Sequence, residues 1–225
     1  MKKISVLFIG NSYTYYNNLW DLFKMVADIQ GDVVEVSHVT NGGWTLQQMG
    51  DINDEFGKIV DKRLKEEKFD IVILQEQSTR PVIDKDIFFD SVTNLVNKIN
   101  QNGAKVYLYE TWGRKKGNIV LEQLKLTNKS MTEKLVESYS EIANKLNIKV
   151  CHVGTAFYNI NNNFDIELYD EDKTHPSYIG SLLAALVIYK TIFNKKINFN
   201  NIILDDTNTK EILENEINKE MCYYE

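Results

Sequence analysis

The sequence predicts an α/β protein: a three-layer α/β/α sandwich built on a five-stranded parallel sheet. Three observations predict it. Short apolar, β-branched runs alternate with longer segments of helical period, which is the signature of strand–helix–strand units. No two runs are joined by a hairpin signal, so each connection has to be a right-handed crossover. The stretch around Ile71-Val72-Ile73-Leu74 is unbroken in its apolarity, as a parallel strand covered on both faces should be.

The elements follow in order. Ile4 to Ile9 reads as the first strand, and Leu19 to Ile29 as a helix with Leu22, Phe23, Val26 and Ala27 on one face. Val33 to Val39 is the second strand. Ile52 to Glu67 is helical, with Phe56, Ile59, Val60 and Leu64 at helical spacing, and Phe69 to Leu74 is the third strand. Ile87 to Asn100 is a helix and Lys105 to Tyr109 the fourth strand. Gln123 to Leu146 reads as one long helix, and Lys149 to Val153 as the fifth strand. Pro176 suits the first turn of a last core helix that runs through Leu182, Leu183, Leu186, Val187 and Tyr189. From about Asn194 an Asn-rich extension ends in a charged helix, Thr209 to Met221, expected to be a solvated surface helix. The expected organisation is a single domain over 1–225, with its core at about 4–194 and a C-terminal extension over 195–225.

Composition narrows the function. The chain has 225 residues and 43% hydrophobic content, enough to bury a full core. With 26 Lys+Arg against 32 Asp+Glu, the net charge of -6 suits no phosphate backbone, and no nucleic-acid partner is expected. Cys151 and Cys222 make no disulfide framework, which fits a reduced, cytoplasmic setting. The apolar run after Met1-Lys2-Lys3 is shorter than the core of a signal peptide, and it ends at Gly-Asn-Ser rather than at a cleavage site. No stretch approaches the ~20 apolar residues of a membrane span, so no membrane partner is expected. His38, His152 and His175 are scattered, metal-ligand spacings are missing, and so are the glycine patterns of phosphate and dinucleotide loops. Neither a metal nor a cofactor is expected.

Two segments carry the chemistry. Val6-Leu7-Phe8-Ile9-Gly10-Asn11-Ser12 drops a serine hydroxyl into the turn where a buried strand gives way to a helix. By itself such a serine is as well read as a helix N-cap. Asp172-Lys173-Thr174-His175-Pro176 puts a carboxylate three residues before an imidazole that the following proline holds in extended backbone. Hydroxyl, imidazole and carboxylate are the parts of a serine-nucleophile hydrolase. Gly43 can be a turn glycine at positive φ, and its bare backbone would also let an N–H approach an oxyanion. Glu76 follows a buried strand and needs a partner, for which Arg80 or Arg114 is expected. Asn11, Tyr13, Tyr15, Trp44 and Trp112 are candidates to wall a substrate pocket.

Gly10-Asn11-Ser12, Gly42-Gly43-Trp44-Thr45, Gln75-Glu76-Gln77-Ser78 and Asp172-Lys173-Thr174-His175 resemble, in order, the blocks of the SGNH (GDSL-type) hydrolase superfamily, over residues 4 to about 190. The Leu-Gln-Glu-Gln-Ser third block resembles that of a subgroup within it. The resemblance implies a flavodoxin-like fold, Ser12 as nucleophile, His175 as base and Asp172 as the acid that orients the base. It also implies an oxyanion hole made of the N–H groups of Ser12 and Gly43 and a side-chain amide from the third block. Two departures stand out: Asn11 replaces the more usual aspartate, and Gln75 and Gln77 replace the glycine and asparagine of Gly-x-Asn-Asp. Glutamine keeps the same two N–H donors on a stem longer by one carbon. The expected activity is cleavage of carboxylic esters, with short acyl groups such as acetyl on a carbohydrate or other polar alcohol. Longer-chain lipase or thioesterase action, and non-catalytic binding of a small ligand on the same fold, stay open at this point. The oligomeric state is not indicated.

Overall fold

A computed structural model describes residues 3–219. Its centre is β1 (Ile4–Gly10), whose side chains alternate: Val6 and Phe8 enter the core on one face, Leu7 and Ile9 on the other. Around it lie β2 (Val34–Thr40), β3 (Ile71–Leu74), β4 (Lys105–Tyr109) and β5 (Lys149–Cys151), all parallel, in the order β2-β1-β3-β4-β5. The predicted three-layer sandwich on a five-stranded parallel sheet is the fold observed.

The register positions the site. Ile9 is paired with Val39 on one side and with Leu74 on the other, so the loops after β1, β2 and β3 leave the same edge together. From β1 the chain moves to β2 on one flank and then to β3 on the other. At such a switch point the loops diverge and leave a crevice outside the carboxyl ends of the strands.

One face of the sheet is covered by α2 (Leu19–Ile29), α9 (Val153–Asn163), α10 (Tyr178–Phe193) and α11 (Thr207–Asn218). The other is covered by α3 (Leu46–Gly50), α4 (Glu55–Glu66), α6 (Lys85–Asn102) and α8 (Asn128–Leu146). Helix α10 is buried at each position from Gly180 to Tyr189, which explains why its sequence is apolar all round rather than striped.

The structure corrects several boundaries for local reasons. The segment read as one long helix is two, α7 (Ile119–Leu124) and α8, because Lys125 is left-handed and Thr127 and Ser130 cap the second helix reciprocally. Ile52 stays exposed because Asp54 accepts from the N–H groups of Phe56 and Gly57 and starts α4 after it. Strand β5 stops at Cys151, and Val153 opens α9, which buries Val153, Phe157 and Ile160. Pro176 lies just outside α10, which Ser177 caps by accepting from Gly180. The C-terminal helix is not a solvated one: Leu213 and Ile217, four residues apart, are buried in the core. Met221, its expected end, and Cys222 lie outside the described residues. Cys151 is buried, and burial pushes its thiol up to about 12. Among the described residues, no helix is long and apolar enough to cross a membrane.

Candidate active site

Ser12 opens the four-residue helix α1 (Ser12–Tyr15) directly after β1. Asn11 makes that turn: its side-chain oxygen accepts from the Tyr13 N–H, and its Nδ2 donates to the Trp44 carbonyl at 2.9 Å. Asn11 is therefore buried framework that joins the first and second blocks, not a pocket wall. Gln75 holds the same turn from the other side. Its Oε1 accepts from the Asn11 N–H at 2.8 Å and from the Thr14 hydroxyl at 2.9 Å. Gly10 makes room for it, since a Cβ there would lie 2.6 Å from that oxygen.

The histidine arrives from the far end of the chain on a loop pinned on several sides. Asp170 N–H donates to the His175 carbonyl at 2.8 Å, and Ser177 N–H to that of Leu168 at 2.9 Å. Asn118 donates to the Thr174 hydroxyl, and Trp112 Nε1 to the Thr174 carbonyl. His175 Nε2 then lies 2.8 Å from Ser12 Oγ, while its Nδ1 lies 2.5 Å from Asp172 Oδ2. The other carboxylate oxygen of Asp172 accepts from the N–H groups of Thr174 and His175, both at 2.8 Å. Burial pulls the Asp172 carboxyl upward, but these hydrogen bonds outweigh it and hold the group below the usual carboxylate range. One imidazole thus touches both a hydroxyl and an ionised carboxylate, the arrangement in which a base can accept the serine proton. Asp170 and Glu171 do not touch the ring: the carboxylate of Asp170 accepts from the N–H of Glu171.

The expected oxyanion donors are disposed as follows. Gly43 has φ +75, so the turn needs glycine, and its N–H and that of Ser12 have no acceptor among the described residues. The Gln77 Oε1 accepts from Thr79 N–H, Thr79 Oγ1 and Arg80 N–H at 2.8–3.1 Å. Its oxygen end is thereby committed, and Nε2 with its two N–H groups is the free end of the amide.

Two further expectations are corrected. Glu76 forms no ion pair with Arg80 or Arg114 among the described residues: Arg80 pairs with Asp84, and Arg114 donates to Ser78. Trp112 is fully buried and stacks on Phe157 at 3.9 Å, so it is core and not a pocket wall. Tyr13 is buried too, wedged between Trp112 and His175. Tyr15 and Tyr16, on the turn after Ser12, and Trp44, in the second block, stay partly open. Sequence reasoning missed Tyr16, which stacks on His175, and the Gln75 anchor. The only signal for the latter was a glutamine where the resemblance calls for glycine.

No family model matches the chain, and no curated protein matches it. Solved structures do. A protein from Slackia heliotrinireducens assigned to the SGNH hydrolases is 28% identical, with a TM-score of 0.75, over 85% of this chain and 100% of that one. A DUF4886 family protein from Bacteroides uniformis reaches a TM-score of 0.81 at 20% identity, over 96% of this chain and 94% of that one. A lipase/acylhydrolase from Enterococcus faecalis gives 0.64 at 20%, over 85% of this chain and 96% of that one, a likeness of fold. Strand order, block order and the likeness to the 28% identical structure support placing the chain in the SGNH (GDSL-type) hydrolase superfamily.

Proposed function

We propose that the protein is a serine esterase that cleaves short-acyl esters of a carbohydrate or other polar alcohol through an acyl-enzyme. The observation that carries this reading is the unbroken relay from Ser12 Oγ through His175 to Asp172, at 2.8 and 2.5 Å. Ser12 Oγ attacks the ester carbonyl while His175 Nε2 takes its proton, and Asp172 holds the ring and offsets the charge it gains. The tetrahedral oxyanion is held by the N–H groups of Ser12 and Gly43 and by the Gln77 amide. On collapse the C–O bond to the alcohol breaks, and the alcohol leaves with the proton from His175. Water then attacks the acyl-serine, with His175 as base again, and releases the carboxylic acid.

The short acyl group is supported by where the aromatics lie. Tyr13 and Trp112, which would have lined a deep apolar slot, are closed into the core. Tyr15, on the turn after Ser12, and Trp44, in the second block, stay partly open, aromatic surface of the kind on which a sugar can rest. A groove of about 840 Å³, lined mainly by residues of α8 and α9, includes none of Ser12, Asp172 and His175, so it is no acyl channel for this site.

A serine-directed fluorophosphonate is expected to label Ser12. Chromogenic acetyl esters and acetylated sugars should be cleaved faster than long-chain esters, and Ser12→Ala should abolish both labelling and cleavage. Labelling at another serine, or turnover in the variant, overturns the assignment. Binding of sugars with neither labelling nor cleavage would make the protein a non-catalytic binder. A preference for long chains would overturn the substrate class alone.

A further inference from the structure

The middle residue of the third block has a task of its own. Glu76 is fully buried, and Oε2 has no hydrogen-bond partner among the described residues. Its Oε1 accepts two backbone N–H groups, from Leu46 at 3.0 Å and from Gln77 at 2.6 Å. These donors belong to different loops. Leu46 is the first residue of α3, three positions after Gly43 at the end of the loop that follows β2. Gln77 sits on the loop that follows β3. A single oxygen atom therefore joins the two loops expected to supply the outer oxyanion donors.

We propose that Glu76 is a positioning residue, a clamp that fixes the loop carrying Gly43 against the loop carrying Gln77 and so sets the separation of the two outer donors. The inference rests on the esterase reading and deepens it. Each loop is also held from the side of β1: Asn11 donates to the Trp44 carbonyl, and Gln75 accepts from Asn11. Those bonds tie each loop to the nucleophile turn, whereas the Glu76 bonds tie the two loops to each other. Burying a carboxyl costs several kcal/mol unless it is hydrogen-bonded, so a fully buried glutamate that forms no ion pair among the described residues needs such a task to be tolerated. The charged and titratable groups that act on it are Arg80 from α5 (Arg80–Ile83) and Tyr139 from α8. Neither is hydrogen-bonded to its carboxylate. The length of the side chain matters as well: a glutamine can present the same oxygen to both amides, and an alanine presents none.

The test compares Glu76→Ala with Glu76→Gln. In Glu76→Ala, kcat on an acetyl ester should fall by roughly 10–10²-fold, the size expected when a catalytic group is displaced by about an ångström. KM should hold, because the donors act on the oxyanion more than on the ground-state carbonyl. Glu76→Gln should recover most of that loss. Amide hydrogen exchange gives a readout independent of activity: the Leu46 and Gln77 amides should be protected in the parent protein, exchange faster in Glu76→Ala and be protected again in Glu76→Gln. Full turnover in Glu76→Ala overturns the clamp. So does a Glu76→Gln variant as slow as Glu76→Ala, or exchange at Leu46 and Gln77 that does not respond to the substitution. Should Glu76→Ala fail to fold, the other two proteins decide. An active Glu76→Gln with protected amides supports the clamp, while an inactive one or fast exchange in the parent protein overturns it. Should the parent protein neither cleave esters nor label at Ser12, the esterase reading falls and the exchange comparison still judges the clamp.

Discussion

The ring of Tyr16 lies flat on the imidazole of His175, with centroids 4.0 Å apart and planes 5° from parallel. The turn that carries Tyr16 is tied to the histidine loop, since Asn17 Nδ2 donates to the Pro176 carbonyl and to Ser181 Oγ. A ring face so placed limits the rotation of the imidazole and attracts the positive charge it gains during catalysis. Tyr16→Leu should therefore lower kcat by roughly 2–10-fold, the equivalent of the ~0.5–1.5 kcal/mol such pairs contribute. Tyr16→Phe keeps the face and should stay close to the parent. Steady-state kinetics of both variants check this, and equal losses would show that the phenol, not the stack, matters.

The acid can be separated from its neighbours. Of the three neighbouring carboxylates, Asp172 is the one hydrogen-bonded to the His175 ring, so Asp172→Asn should reduce turnover by as much as roughly 10⁴-fold, the loss expected when the orienting acid becomes neutral. Asp170→Asn and Glu171→Gln should cost little. Turnover of the three single variants on one ester, with their circular dichroism compared, makes the measurement. Equal losses would mean that the loop is merely structural.

Removing the free amide of Gln77 should cost turnover without costing substrate binding. Gln77→Ala is expected to lower kcat by roughly 10²–10³-fold with KM little changed, as for loss of one oxyanion donor. The same change frees Thr79 and Arg80 from their cap, so a drop in thermal midpoint accompanies it. A Gln77→Glu variant keeps the cap oxygen and loses the donor, and it should be as slow as Gln77→Ala while melting near the parent. Full turnover in either variant would leave the hole to the two backbone donors.

Glu76 also makes stability depend on pH. Burial raises its carboxyl from the ordinary 4.5 to about 7, against the pull of the Leu46 and Gln77 N–H groups. The folded state thus holds a proton that the unfolded chain has released. The associated stability is fully present below about 4.5 and is lost as pH rises through about 7. The rise corresponds to a loss on the order of 3 kcal/mol. Glu76→Gln carries no such proton, so its denaturation midpoint should gain on the parent between pH 5 and pH 8. Parallel pH profiles of the two proteins would contradict the burial argument.

The parts of this molecule that were legible in its sequence are those written in consecutive residues. The alternation of apolar runs and helical periods gave the sheet and its layers. The Gly10-Asn11-Ser12 turn and the Asp172-to-His175 spacing marked two halves of a site whose atoms meet across 163 positions. What was not legible depends on which strand ends lie side by side. That Glu76 meets Leu46 instead of an arginine, or that Trp112 packs on Phe157 instead of facing the crevice, follows from the flush register of the strands and the path of α9. The C-terminal helix misled because its charged residues outnumber Leu213 and Ile217, and those two positions decide where it lies.

The contact between Gly10 and Gln75 has a consequence for how this protein can change. The glutamine side chain fills the space above the glycine, and a methyl group at position 10 would strike it at 2.6 Å and the Thr14 hydroxyl at 2.5 Å. Conversely, a glycine at position 75 would strand the Asn11 N–H and the Thr14 hydroxyl, at about 1–3 kcal/mol each if they stay buried. Neither position can be exchanged alone without loss. The two form one epistatic unit that joins the end of β1 to the loop after β3, and a more usual third block could be grafted here only together with a rebuilt nucleophile turn.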